Sequence, residues 1–210
     1  MMGNGGMLRD GGGAAADAGP RPGGKGFFGD LVEVLFAPAT FWERGRSGAP
    51  ADYRPIWIHL LVLIGLRAVS GFGGALLRGA GVGAAFGQLF SGLIAAFALV
   101  WLFAAIVAGV TAGTTGRTTV RDAFRFAAYG LTPLFVVGVL AVVPLPYVAP
   151  IADLVLMPYT FYVLGVGVVP ALGVPVSAAP GRVALICGSL LVLWSVMPTL
   201  IPLVVEAIVR

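Results

Sequence analysis

The sequence predicts an all-α fold: a polytopic membrane helix bundle of five transmembrane helices preceded by a short N-terminal interfacial helix. Three observations carry this. The 210 residues are 59% hydrophobic and only 10% charged, against roughly a quarter charged in soluble domains. The apolar residues fall in five runs of about 20, the length that crosses a hydrocarbon core of about 30 Å at 1.5 Å per residue. Glycine, proline and arginine punctuate the gaps between the runs. The mean hydropathy of +0.99 leaves little room for a soluble domain.

Residues 1–26 are glycine-rich and lack an apolar core, so they predict a disordered tail and no signal peptide. Gly19, Gly24 and Lys25 imitate the start of a phosphate-binding loop, but Gly26 stands where a magnesium-binding hydroxyl belongs, and Pro20 and Pro22 remove amide donors. Residues 27–54 predict an interfacial amphipathic helix and a linker. Phe28, Leu31, Val32, Leu35 and Phe36 recur at helical spacing with Asp30 and Glu33 opposite, and Pro38 ends the run. Such an acidic face suits docking on the bundle better than binding to anionic lipid. Trp42, Glu43, Arg44 and Arg46 read as an interfacial stretch.

The transmembrane domain is expected over 55–210. Span one, about 56–76, holds His59 near its entry and Arg67 inside, with Gly71, Gly73 and Gly74 weakening its far end. Span two, about 86–109, carries Ala105, Gly109 and Gly113 beside Ala104, Ala108 and Ala112, a small-residue spacing that lets another helix approach. Arg117, Arg121, Asp122 and Arg125 form a charged loop. Span three, about 124–144, has Pro133 near its middle. A proline there removes a helix donor and frees the carbonyl of Tyr129, so the helix should kink inside the bundle, with the hydroxyls of Tyr129 and Thr132 at hand. Span four, about 151–169, contains Pro158 and ends at Pro170. Residues 173–182 form a loop, and span five, about 183–205, contains Pro198 and Pro202.

Five crossings put the termini on opposite sides. One side collects Arg9, Arg21, Lys25, Arg44, Arg46, Arg54, Arg117, Arg121, Arg125 and Arg182. The other collects Arg78 and Arg210. The excess of arginine places the N-terminus in the cytoplasm and the C-terminus outside. The arginine, alanine and glycine bias points to a bacterial inner membrane.

The residues Phe126-Ala-Ala-Tyr-Gly-Leu-Thr-Pro133, then Pro144 and Pro146, then Tyr159-Thr-Phe-Tyr-Val-Leu-Gly165, with Pro38, Phe41 and Trp42 ahead of them, resemble the bacterial branch of the Yip1 domain family over residues 27–208. The resemblance implies five spans and a cytoplasmic N-terminus. Eukaryotic members are linked to Rab GTPases, but their Asp-Leu-Tyr-Gly-Pro segment is absent here, where Asp30-Leu31-Val32-Glu33 stands.

Arg67, Asp153 and Glu206 are the residues that lipid penalises most, at about 2.5–3.5 kcal/mol each near the bilayer centre on insertion scales. The topology brings all three to similar depth in the outer half, and an Arg67–Asp153 pair is expected as a lock between spans one and four, the alternatives being a polar ligand or ion route and separate snorkelling to the outer interface. Tyr129, Thr132, Tyr159, Thr160 and Tyr162 form a hydroxyl belt that bonds between helices and covers the Pro133 and Pro158 gaps, or else lines a substrate path. With no Gly-x-Ser-x-Gly, one histidine, one cysteine (Cys187) and no pair of intramembrane aspartates, no catalytic, metal or cofactor site is expected. The expected partners are the lipid bilayer, a membrane or cytoplasmic protein, and a second copy of the chain, but no nucleic acid. The role that fits is a non-enzymatic scaffold or membrane organiser, and the alternative is a small transporter or channel subunit.

Overall fold

A computed structural model describes residues 26–45, 53–115 and 118–209, without the side chains of 114–115, 198 and 201–209. The tail expected over 1–26 lies outside the described residues apart from Gly26, as do Arg46 and Arg117. The helices are α1 (Gly26–Phe36), α2 (Pro38–Arg44), α3 (Tyr53–Leu77), α4 (Val82–Thr115), α5 (Val120–Gly130), α6 (Thr132–Val137), α7 (Val148–Leu172) and α8 (Ala179–Val209). A 3-10 segment, Gly138–Val142, follows α6. No strand occurs among the described residues. Five segments are long and apolar enough to cross a membrane: Tyr53–Leu77, Val82–Gly113, Val120–Val142, Val148–Leu172 and Ala179–Met197. The all-α bundle and the number of spans agree with the sequence reading.

The third span is the hub. It is 61% buried, against 11% for the fifth. Its start lies at Val120, not 124, because Thr119 and Asp122 form a capping box. The Thr119 hydroxyl accepts from the Asp122 amide at 3.2 Å and the Asp122 carboxylate accepts from the Thr119 amide at 3.0 Å. Arg121, Asp122 and Arg125 therefore belong to the first turns of a helix and not to a loop. Arg121 lies over the Tyr53 ring at 4.2 Å.

At Pro133 the helix stops and restarts. Leu131 closes α5, and Pro133 occupies the first turn of α6, where a missing N–H costs no helical bond. The chain then tightens to 3-10 at Gly138. Gly74 of α3 meets this segment at the Ala141 carbonyl, where any Cβ would overlap the oxygen. The glycines at the far end of α3 thus admit a close approach, and the helix continues through them to Leu77.

Two further boundaries move. Pro170 does not end α7, since a proline in the last turn forfeits a single bond. The stop is Gly173, in the left-handed conformation at φ 65°, and Thr118 donates to the last-turn carbonyl of Leu172 at 2.9 Å. Helix α8 begins at Ala179, inside the expected loop, with Pro180 in its first turn.

The largest departure is at the N-terminal end. The single helix expected ahead of Pro38 is followed at once by a second. Ala37 leaves helical geometry at φ −142°, ψ 55°, and Pro38 opens α2 where the sequence reading had it close a helix. The acidic face of α1 does dock on the bundle, as expected of it, with Asp30 and Glu33 buried, while Phe28, Val32 and Phe36 face out. Burial of the acids is sustained by partners: Glu33 pairs with Arg44 of α2, and Asp30 lies within electrostatic reach of Arg125 and Tyr129. Trp42, expected at the interface, is fully buried in the bundle.

Candidate functional site

Two polar clusters form inside the bundle. The first joins α1 and α2 to α3, α5, α6 and α7. Trp42 donates from Nε1 to the carbonyl of Val163 at 3.0 Å. The indole reaches this α7 backbone because residue 167, one turn further on, is glycine. A Cβ there would lie 2.8 Å from the indole and 3.0 Å from the Phe126 ring. Phe126 and Phe41 flank the indole at 5.3 and 5.1 Å between ring centroids, and Tyr129 lies 5.0 Å beyond Phe41.

Next to this seam, His59 Nε2 and the Thr132 hydroxyl share a 2.8 Å hydrogen bond, and the imidazole packs on Tyr129 at 4.6 Å and Phe27 at 5.6 Å. His59 Nδ1 is buried with no hydrogen-bond partner among the described residues. The Tyr159 hydroxyl donates to the carbonyl of Leu35, one of the acceptors left over where α1 ends. Together these bonds fasten the two short helices to the spans.

The second cluster sits toward the opposite end, where α3 leaves the bundle and α4 and α7 enter. Arg67 Nη2 donates to Asp153 Oδ2 at 3.1 Å. Its Nη1 donates to the carbonyl of Leu134 at 2.8 Å and to Asp153 Oδ1 at 3.4 Å. The guanidinium lies 5.1 Å from the centre of the Trp194 ring. Gly138 gives it passage, since a Cβ there would overlap the arginine. The pair ties α3 to α7 through α6. Beside it lies a chamber of about 750 Å³ lined by all five spans, with Gln88, Ser91, Ser195 and the ion pair as its polar groups and an otherwise apolar wall.

The Yip1 domain profile matches residues 32–197, from the middle of α1 to Met197 in α8. The chain belongs to the Yip1 domain family. It is a multi-pass integral membrane protein, and the matched stretch contains both clusters apart from Phe27. No curated protein and no solved structure matches it.

In this Yip1 chain the residues singled out from the sequence separate into two groups. Arg67 and Asp153 meet. Glu206 falls among the residues whose side chains the structure does not describe. Tyr129, Thr132 and Pro133 are buried in the first cluster, and Tyr159 reaches it from α7. Tyr162 is 52% exposed and packs on the outer side of Tyr159, with ring centroids 5.9 Å apart. Among the described residues, neither threonine of the belt bonds to a carbonyl that a proline frees. Thr132 faces His59, and Thr160 donates to the Leu156 carbonyl at 3.0 Å, although Pro158 frees that of Leu154. Gly138, Gly167, Trp194 and the Leu134 carbonyl were not legible as site residues, because each acts through a neighbour remote in sequence. Trp42 was read as interfacial, although a Phe-Trp pair shortly after a proline was a visible signal for an anchored segment.

Proposed function

We propose that this Yip1 protein works without catalysis, as a scaffold of the bacterial inner membrane that presents its α1–α2 end to a membrane or cytoplasmic protein. One observation carries the reading: the bundle is packed through its middle. Past the chamber lining at Leu99, Phe135 and Met157, the side chains of Leu63, Ile64, Phe103, Leu131, Leu134 and Leu164 are all buried. A transporter needs a polar route there. None of the hydroxyl belt reaches the chamber lining, which argues against the small transporter or channel as the alternative.

The charges support an orientation. Arg44, Arg54, Arg121, Arg125 and Arg182 lie toward the α1–α2 end and Arg78 at the other. That asymmetry favours a cytoplasmic α1–α2 end and an external C-terminus. At the cytoplasmic end, Phe28 (76% exposed), Val32 and Phe36 (81%) form the outward face of α1, held rigidly by the Trp42, Glu33 and Tyr159 contacts behind it.

A photo-crosslinking residue at Phe28 in native membranes should give a discrete protein adduct. Adducts with lipid alone would refute partner binding through this face. Protein-dependent solute flux into proteoliposomes would restore the transport reading.

A further inference from the structure

Arg67 has five N–H donors and spends three of them. The bonds to Asp153 take the end-on edge of the guanidinium, and the second Nη1 hydrogen goes to Leu134. The side-on edge, Nε–H with the second Nη2 hydrogen, has no acceptor among the described residues. The side chain is 27% exposed and lines the chamber. Two parallel donors on a planar edge match two oxygens of a phosphate or carboxylate.

The chamber sets the rest of the ligand. Its volume of about 750 Å³ lies within the range of about 300–1,000 Å³ typical of small-molecule sites. Leu99, Phe135, Met157 and Met197 give it an apolar wall. Leu154 and Leu191 line it as well, yet are 71% and 44% exposed on the flank of the bundle. The chamber therefore opens sideways into the hydrocarbon, and its ligand arrives from the membrane.

Charge narrows the head group. Arg67 and Asp153 together are neutral, and an anionic head would leave one net negative charge in a low-dielectric site. A zwitterion leaves none. Asp153 remains 11% exposed and retains acceptor sites beside Arg67. We propose that the chamber binds one zwitterionic membrane phospholipid, its phosphate on the unspent edge of Arg67, its ammonium toward Asp153 and an acyl chain along the apolar wall. This site is separate from the α1–α2 face and does not depend on partner binding there.

The test is native mass spectrometry of the full chain, stripped of lipid in detergent and titrated with dioleoylphosphatidylethanolamine. A saturable adduct of one lipid per chain is expected. Dioleoylphosphatidylglycerol should bind about tenfold more weakly or worse, a difference of about 1.4 kcal/mol. Equal or tighter binding would overturn the charge argument. Glycerophosphoethanolamine, which has the head and no chains, should not compete, and if it does the ligand is a soluble phosphate ester and not a lipid. Gly92 lines the chamber and has no atom within 4 Å of a built Cβ, so Gly92→Phe should fill the space and abolish the adduct with helicity retained. Gly71→Phe, equally open on the α3 wall, does the same if the first variant fails to fold. An undiminished adduct in a folded variant would mean that lipid only coats the bundle, and would overturn the proposal.

Discussion

Replacing Gly167 with alanine places a methyl group 2.8 Å from the indole of Trp42 and 3.0 Å from the Phe126 ring. Neither ring bends, so the helices must part or the indole must leave Val163. Overpacking of this kind costs about 1–3 kcal/mol. Against it stands the helix preference of alanine over glycine, at most about 1 kcal/mol, and less here because a membrane-embedded chain stays largely helical when it unpacks. Gly167→Ala should therefore destabilise by about 1–2 kcal/mol. Trp42→Phe should cost about 2 kcal/mol, of which about 1 is the lost hydrogen bond and about 1 the space left unfilled. The smaller ring makes room for the methyl, so in the Trp42→Phe background Gly167→Ala should be neutral or stabilising. The coupling expected from a double-mutant cycle is thus about 1–2 kcal/mol. SDS-induced unfolding from mixed micelles, followed by circular dichroism, measures it. If the two changes add, or if Gly167→Ala stabilises the wild-type chain, the glycine does not make room for the indole and the docking argument for α2 fails.

Two further outcomes follow from the same reasoning. Arg67→Ala and Asp153→Ala should each destabilise by at least about 2 kcal/mol, since each strands a charge in the membrane, while the double variant should cost clearly less than their sum. Additive losses in the same unfolding assay would mean that the 3.1 Å contact carries no energy. Gly74→Ala should be more damaging than Gly73→Ala by about 2 kcal/mol or more, because its Cβ would overlap the Ala141 carbonyl, while that of Gly73 sits 3.6 Å from a movable Val142 methyl. Equal thermal midpoints would refute the backbone contact between α3 and the 3-10 segment.

The number and order of crossings were legible in the sequence because hydropathy is a local quantity: any run of about 20 apolar residues must lie in lipid whatever its neighbours do. Arg67 and Asp153 were legible for a related reason, as charges that lipid penalises unless they meet a partner. Pro133 marked a break in the helix. What it could not mark was the restart at Thr132, which leaves that hydroxyl for His59, because the choice depends on a residue 73 positions away.

Which side of each helix faces inward is another matter. Lipid tails are as apolar as leucine, so a spanning helix carries no stripe to distinguish protein from lipid. On α4 the sequence showed one ladder of small residues, yet Ala104 is buried while Gly109 and Gly113 stand open. On α1 two acids took inward positions beside Val34. Asp30 and Glu33 went inside, where Arg44 and Arg125 lie close, and Phe28 and Phe36 turned outward while Phe27 packed on His59. By itself the sequence determined that this chain lives in the membrane, how often it crosses and which charges need partners. Only the tertiary structure decided the partners, through glycine notches and carbonyl contacts whose two halves can lie 124 residues apart. Depth in a bilayer is a property of each residue, and facing is a property of pairs.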